Sequence, residues 1–400
     1  MDTVIQYADN SYWVGANDRE TDLFESVWPL PQGISYNAYM ICDEKNVLID
    51  TVKNCYFERY LEKIQDRLPP DGKIDYLVIN HMEPDHSGSI NLLRKVFPDM
   101  KLVGNKKTVE FLENFYGITE NIHVVEDESE INLGQHTLSF ALIPMVHWPE
   151  TMVTYDKNTG VLYSCDAFGG FGALEGSIFA DDLDIPYIQS EILRYYSNIV
   201  GKYSPMVQRA LKKLKGLDIS VIAPSHGPIW RKDPGHIIEL YDRWSRFEAE
   251  EGIVIVYGSM YGNTLKIKEE IARGIVSEDF CTIRTYDISR SHPSYILTDI
   301  WRYKGIILGA PTYNTGLFPP MEYLVRMLEN KMLKNRSLGI FGNYAWSGGA
   351  VKRLQEFADH VGWEKVEPVV EIQCSAREND LKKGFQLGKN MVTSIRKSAQ

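Results

Sequence analysis

Four side chains that can bind a metal ion fall within six residues: His81, Glu83, Asp85 and His86, in the run Asn80-His81-Met82-Glu83-Pro84-Asp85-His86. Four donors so close together cannot all meet one ion without strain, but they divide between two neighbouring ions. His81 and Glu83 are two residues apart and point the same way on an extended chain, while Asp85 and His86 can turn to a second ion. The set contains imidazoles and carboxylates and no thiolate, and the hard carboxylate oxygens shift the choice of metal toward iron or manganese. Three further donors each stand just after an apolar run and before a turn. Leu142-Ile143-Pro144-Met145-Val146 leads to His147, Val161-Leu162-Tyr163-Ser164-Cys165 leads to Asp166, and Ile219 to Ser225 leads to His226. One such residue would pass as structural, but three in the same context read as matching ligands of a catalytic metal centre.

The elements that must position these donors can be read from hydrophobic periodicity. The run Ile74-Asp75-Tyr76-Leu77-Val78-Ile79 is a buried strand that delivers the chain to the four-donor loop, and Ser87-Gly88-Ser89 turns it into a helix from Ile90. Ligands on a loop at the carboxyl end of a strand are where α/β proteins place their chemistry. Upstream, Ser11 to Val14, Tyr36 to Ile41 and Val47 to Asp50 read as strands, and residues 55 to 68 as an amphipathic helix ended by Pro69-Pro70. Phe24 to Gly33, rich in proline and aromatics, is either a packed connector or a flap over the metals. Phe168-Gly169-Gly170-Phe171-Gly172 lets the chain pass close to the metals. Tyr187 to Leu214 reads as helical with a break near Gly201 to Pro205. The remaining histidines, His123, His136, His236, His292 and His360, lack a ligand context and read as structural or exposed.

The polar stretch Arg243 to Gly252 closes a first domain, residues 1–248, and a second domain spans 249–400. A strand at Ile253-Val254-Ile255-Val256 is followed by a small, hydroxyl-rich loop, Ser259-Met260-Tyr261-Gly262-Asn263-Thr264, and then by a helix to about Val276. Strand, loop and helix N-terminus in that order form an anion site in which backbone N–H groups and hydroxyls cradle a phosphate. The loop has no Gly-Lys-Ser/Thr and no Gly-x-Gly-x-x-Gly, so it fits neither a nucleotide-hydrolysing P-loop nor a dinucleotide fingerprint. A monophosphate held without lysine fits FMN. Two later strands, Lys304 to Gly309 and Ser337 to Phe341, end in Ala310-Pro311-Thr312-Tyr313-Asn314 and in Gly342-Asn343-Tyr344-Ala345-Trp346-Ser347-Gly348-Gly349. Aromatic residues at the carboxyl ends of central strands can sandwich a planar ring.

With 400 residues the chain has room for about two or three domains. A formal net charge of −11 argues against a nucleic-acid partner. No signal peptide and no membrane-spanning run are visible, and the five cysteines (Cys42, Cys55, Cys165, Cys281, Cys374) are scattered, which suits a reducing cytoplasm.

The spacing of the seven donors resembles the metallo-β-lactamase fold, whose hydrolytic zinc members carry His-x-His-x-Asp-His. Glu83 in place of the second His resembles the flavodiiron proteins, also called A-type flavoproteins, in their stand-alone form without a fused rubredoxin. The second half resembles a flavodoxin. The resemblance implies an N-terminal metallo-β-lactamase-like αββα domain followed by a flavodoxin-like doubly wound parallel sheet of strand order 2-1-3-4-5. It implies two iron ions, one held by His81, Glu83 and His147, the other by Asp85, His86 and His226, with Asp166 between them. It places the FMN phosphate at Ser259 to Thr264 and the ring between Thr312 to Asn314 and Tyr344 to Gly348. Some family members have a His just after the Phe of the 24–33 segment, where this chain has Glu25, and Tyr195 either lines the metal pocket or only packs. The implied activity is reduction of O2 to water or NO to N2O. The implied partners are an external donor such as rubredoxin or reduced F420 and a second copy in a head-to-tail homodimer or dimer of dimers, with no membrane. Two other readings compete: a zinc hydrolase with a flavodoxin appendage, and an electron-transfer flavoprotein with a vestigial metal site.

Overall fold

The computed structural model describes residues 3–398. A first compact unit ends at Ser245 and a second begins at Arg246. In the first unit the strands run β1 (Ile5–Ala8), β2 (Ser11–Trp13), β3 (Ala16–Asp18), β4 (Leu23–Phe24), β5 (Trp28–Pro29), β6 (Ile34–Tyr36), β7 (Tyr39–Ile41), β8 (Val47–Ile49), β9 (Tyr76–Val78), β10 (Lys101–Gly104), β11 (Ile122–Val124), β12 (Glu130–Asn132), β13 (Thr137–Leu142), β14 (Met152–Asp156), β15 (Val161–Cys165) and β16 (Val221–Pro224). Its helices are α1 (Phe57–Arg67), α2 (Pro84–Ser87), α3 (Ile90–Val96), α4 (Lys106–Tyr116), α5 (Ile185–Tyr195), α6 (Ser204–Leu214) and α7 (Pro234–Ser245).

Two sheets result, in spatial order β1-β2-β7-β8-β9-β10-β11 and β12-β13-β14-β15-β16, with β3 paired to β6 and β4 to β5 outside them. Their inner faces make one core: Trp13, Ile41, Val47, Ile49, Val78 and Val103 from the first meet Leu138, Phe140, Met152, Val161, Tyr163 and Ala223 from the second. Strands β14 and β15 are buried along their whole length, which is why Val161 to Cys165 reads as an apolar run. β8, β9 and β10 are parallel, so the carboxyl end of β9 opens onto the four-donor loop.

The expected strand over Tyr36 to Ile41 is two strands, β6 and β7, broken at Asn37. The break has a polar cause. Asn37 accepts from the Trp13 indole at 2.9 Å and donates to the carbonyls of Pro224 and Gly227, both at 2.8 Å, pinning the turn that carries His226. The expected helix over Tyr187 to Leu214 is α5, a π-helical turn at Tyr196–Val200, a 3-10 turn at Gly201–Tyr203, and then α6.

The second unit contains β17 (Glu250–Tyr257), α8 (Asn263–Val276), β18 (Ile283–Asp287), α9 (Pro293–Arg302), β19 (Tyr303–Tyr313), β20 (Gly316–Leu317), α10 (Pro319–Lys331), β21 (Ser337–Tyr344), α11 (Ala350–Val361), β22 (Glu364–Gln373) and α12 (Glu378–Ser398). The main sheet is parallel in the order β18-β17-β19-β21-β22, which is the expected 2-1-3-4-5. β19 runs four residues past Gly309 because its end folds back onto β20 as a hairpin, so Thr312 and Tyr313 lie on strand rather than loop. Among the described residues, no helix is long and apolar enough to cross a membrane.

Arg336, 1% exposed, has no carboxylate partner among its recorded bonds. It donates instead to the carbonyls of Ile300 and Trp301 at the end of α9 and to those of Phe247, Lys334 and Asn335. A cation is well placed against the carbonyls that close a helix. Replacing Arg336 with Met strands these acceptors and is expected to destabilise the second unit by about 3 kcal/mol. Urea unfolding followed by tryptophan fluorescence checks this, and a loss under about 1 kcal/mol shows that water replaces the clamp.

Candidate metal centre and flavin site

The four-donor loop is extended through His81 and Glu83, then closes into the single turn of α2, with Pro84 at its first position. This change of backbone sends the donors two ways. The carboxylate of Glu83 lies 3.3 Å from Nε2 of both His81 and His147. The carboxylate of Asp85 lies 3.5 Å from Nε2 of His86 and 3.4 Å from Nε2 of His226. His147 is not at a strand end, as its apolar approach suggested, because β13 stops at Leu142 and Ile143 to Val146 form a tight turn. Asp166 directly follows β15 and His226 stands two residues beyond β16; these strands are parallel neighbours.

Asp166 joins the two halves. Its Oδ2 is 3.0 Å from His147 and 3.4 Å from His81, while its Oδ1 is 3.0 Å from His86 and 3.6 Å from His226. His81, Glu83, His147 and Asp166 form one group of convergent donor atoms, and Asp85, His86 and His226 another, each within 4.8 Å. All seven residues expected from the sequence therefore meet in one place.

Their bonding fits metal ions. Both carboxylate oxygens of Asp85, both ring nitrogens of His86, Oδ1 of Asp166 and Nε2 of His226 are buried without a hydrogen-bond partner. Nε2 of His86 lies 3.0 Å from Oδ1 of Asp166. Orphaned buried polar atoms are costly and call for a partner. Hard oxygens with imidazoles suit iron.

The surroundings orient the rings. Nδ1 of His81 is 2.7 Å from Oε1 of Glu150, which also accepts from the Met82 backbone at 2.9 Å. Nδ1 of His226 is 2.7 Å from the Ser35 carbonyl. Each contact turns the other ring nitrogen inward. Asp50 holds the start of the loop by accepting from the backbone and side chain of Asn80. Glu150 and Asp50 were not legible as site residues, because their partners lie 69 and 30 residues away.

An aromatic wall closes one side. Phe24, Tyr36 and Tyr195 place their rings 5.5, 5.8 and 5.5 Å from that of His226, and Phe171 lies 5.6 Å from Phe24 and 5.1 Å from Tyr195. Tyr195 thus lines the pocket, and its buried hydroxyl has no hydrogen-bond partner. The Phe24 to Gly33 segment is a flap of which β4 and β5 are the arms. Glu25 on its turn feels the charges of Glu83 and His147; burial, then the Glu83 carboxylate, push its own carboxyl up.

In the second unit the expected flavin residues gather at the carboxyl ends of β17, β19 and β21. Gly262 takes the left-handed φ of 83° that starts α8, and no side chain caps that helix. The open first-turn N–H groups form a phosphate cradle. Thr264 donates to Asn343 at 3.1 Å, and Thr312 accepts from the Ala350 N–H at 3.2 Å, tying the three loops together. Pro311 and Gly342 are buried at the strand ends and offer backbone only. Trp346 is 84% exposed and Tyr313 44%, large apolar surfaces suited to covering a planar ring.

A two-unit oxidoreductase, with a dinuclear metal site on a metallo-β-lactamase-like sandwich and FMN on a flavodoxin-like sheet, is the class that this fold and these sites define. The family model described as ODP family beta lactamase matches residues 34–227, and the flavodoxin model matches 255–388. The chain is 33% identical over 400 residues to a nitric oxide reductase of Moorella thermoacetica, covering 99% of this chain and 100% of that one. It superposes on the rubredoxin oxygen:oxidoreductase of Desulfovibrio gigas with a TM-score of 0.95, at 28% identity over 99% of this chain and 100% of that one. The flavodiiron protein of Giardia intestinalis gives a TM-score of 0.93 at 27% identity, covering 99% and 97%. The chain belongs to the flavodiiron protein family. It is an oxidoreductase whose cofactors are FMN and a di-iron centre.

Two predictions follow from the site's charges. Burial alone would lower His86 and His147, but the carboxylates of Asp85, Asp166 and Glu83 outweigh it and hold both histidines up at about 9. Protons therefore occupy these rings in the metal-free protein at neutral pH, and metal must expel them. Affinity for Fe2+ is expected to rise as pH increases toward about 9 and to fall below neutrality, with protons released on binding. Calorimetry in buffers of different ionisation enthalpy measures the release, and pH-independent binding contradicts the assignment. Glu150→Gln leaves His81 without its anionic anchor and is expected to weaken iron retention roughly 10- to 100-fold. Competition with a chelator reads this directly.

Proposed function

We propose that this protein is a cytoplasmic flavodiiron reductase that converts O2 to water, NO to N2O, or both. The observation that carries the reading is Asp166, one oxygen facing each donor group, which suits a carboxylate spanning two irons. On this reading His81, Glu83 and His147 hold one iron and Asp85, His86 and His226 the other. Iron bound there would supply one-electron redox chemistry and open positions for a diatomic gas. Glu83 in place of a third histidine adds negative charge, which favours iron over the zinc of hydrolytic relatives. The names of the similar proteins, a nitric oxide reductase and a rubredoxin oxygen:oxidoreductase, agree with both gases.

The chain's own residues have distinct tasks. Glu150 and the Ser35 carbonyl keep His81 and His226 turned inward. Phe24, Phe171 and Tyr195 exclude water from the pocket, so that electrons and protons reach only the bound gas. Burial and the charges of Asp166, Glu83 and Asp85 raise the Tyr195 phenol well above its usual range, so it keeps its proton and can donate a hydrogen bond from Oη. Ser259 to Thr264 hold the FMN phosphate, Pro311 to Asn314 and Gly342 to Gly348 flank its ring, and Trp346 covers it. All five cysteines are free, which suits a reducing compartment.

Electrons come from an external donor, a rubredoxin or reduced F420, and pass through FMN. We place the FMN of one copy beside the irons of another in a head-to-tail homodimer or a dimer of dimers. Two measurements test the proposal. Anaerobically purified protein should hold about two irons and one FMN per chain and, once reduced, consume O2 or NO rapidly; zinc without gas uptake overturns it. Chains carrying Asp166→Asn, and separately Ser259→Ala with Thr264→Ala, should each be inactive but regain activity when co-expressed. No recovery overturns the head-to-tail arrangement.

A further inference from the structure

The flap that carries Phe24 to the metal pocket is intrinsically poor at holding itself closed. Its two arms are only two residues long each, pairing Leu23 with Pro29 and Phe24 with Trp28. Its turn puts two non-glycine residues, Glu25 and Ser26, at φ values of 50° and 58°, in the left-handed region that side chains disfavour. Phe24 and Trp28 are buried, but Leu23 and Val27 remain 43% and 39% exposed, so apolar burial secures only part of the hairpin. Something outside the hairpin must fasten it.

We propose that Arg194 is the positioning residue that latches this flap over the di-iron pocket; the inference rests on the function proposed above. Arg194 lies at the end of α5 and is 2% exposed. Its Nη1 donates to the carbonyl of Pro29 at the flap's base, at 2.9 Å. Its Nε and Nη2 fork onto the carboxylate of Glu191 at 3.0 and 2.5 Å, which fixes the guanidinium plane. The face of that plane lies 4.3 Å from the centre of the Phe171 ring. One guanidinium therefore holds two of the four rings that wall the pocket: Phe24 through the flap backbone and Phe171 by a cation–π contact. A third ring, Tyr195, is the next residue in the chain. The base of the flap is stitched further where Gly172 and Ala173 donate to the carbonyls of Gly33 and Gln32. Arg194 adds a polar tie from α5 to the second arm of the hairpin, beside the ring contacts of Phe24 with Phe171 and His226.

A planar fork with five donors is required, because one edge must serve Glu191 while another reaches Pro29. Lysine's three donors radiate from one nitrogen and cannot span Glu191 and Pro29 in that fixed plane, and methionine has none. The latch is positional: Arg194 acts on the flap backbone and on Phe171. It governs how well the aromatic wall excludes water and solutes from the metals.

The test compares Arg194→Met and Arg194→Lys with the unchanged chain, first without metal. Hydrogen exchange of the Val27, Leu30 and Gly33 amides, which bond to Phe24, Asp22 and Leu30, is expected to quicken about tenfold in Arg194→Met, with Arg194→Lys between and the core strands unchanged. This readout needs no iron, so it judges the latch even if the metal assignment fails. In the iron-loaded protein, Arg194→Met should lose iron to a chelator about tenfold faster, and release more hydrogen peroxide per O2 consumed, at a melting temperature within a few degrees of the parent. Unchanged flap exchange overturns the proposal. So does a loss of protection spread evenly over α5 and the core in both variants, since that marks Arg194 as a general stabiliser.

Discussion

The molecule depends on a buried cluster of charge that cannot be content by itself. Three carboxylates and four imidazoles converge in a space a few ångströms across, most of them sealed from water. In the absence of cations the remedy is protonation, and the carboxylates accordingly hold His81, His86 and His147 protonated well above their ordinary range. Burying such a set is unfavourable unless something compensates it. Two divalent ions do so more completely than protons, because each satisfies several lone pairs at once. The β-sandwich beneath the site bears the cost of keeping the set assembled until then.

That constraint explains features of the fold that packing alone does not. Asn37 interrupts what would be one continuous strand in order to pin the turn before His226. Asp50 spends both carboxylate oxygens on Asn80, the residue before the first ligand. Glu150, three residues after His147 at the end of the same turn, reaches back to His81. In each case a buried polar group outside the donor set is used to fix the direction of one inside it, because a ligand free to rotate would give up the geometry that metal binding requires.

The second unit solves a simpler problem. A monophosphate needs an uncapped helix start and a few hydroxyls, and a flavin ring needs flat apolar surface at neighbouring strand ends. Both follow from a parallel sheet in which the first strand, β17, lies directly beside the central strand β19. The exposed Trp346 and Tyr313 are the surface signature of that demand. The two surfaces contrast in physical terms: the strand ends that carry Tyr313 and Trp346 are open to solvent, and the metal site is walled by Phe24, Tyr36, Phe171 and Tyr195.

Much of this was legible in the chain itself. The seven ligands could be found because each sits just beyond an apolar run, and burial of a strand leaves a pattern that any reader can count. The alternation of elements in the second unit was legible, and its strand order was implied by the resemblance to a flavodoxin. What could not be read locally was every relation across long sequence distance. Glu150 carries no local mark of its role, since its partner is 69 residues away. Whether Tyr195 faced the pocket, whether residues 24 to 33 formed a flap, and which oxygen of Asp166 met which histidine were all undecided until the sheets stacked. Residue type and spacing determine which atoms are able to bind; only packing decides which way they point, because direction is set by neighbours that the chain brings in from elsewhere.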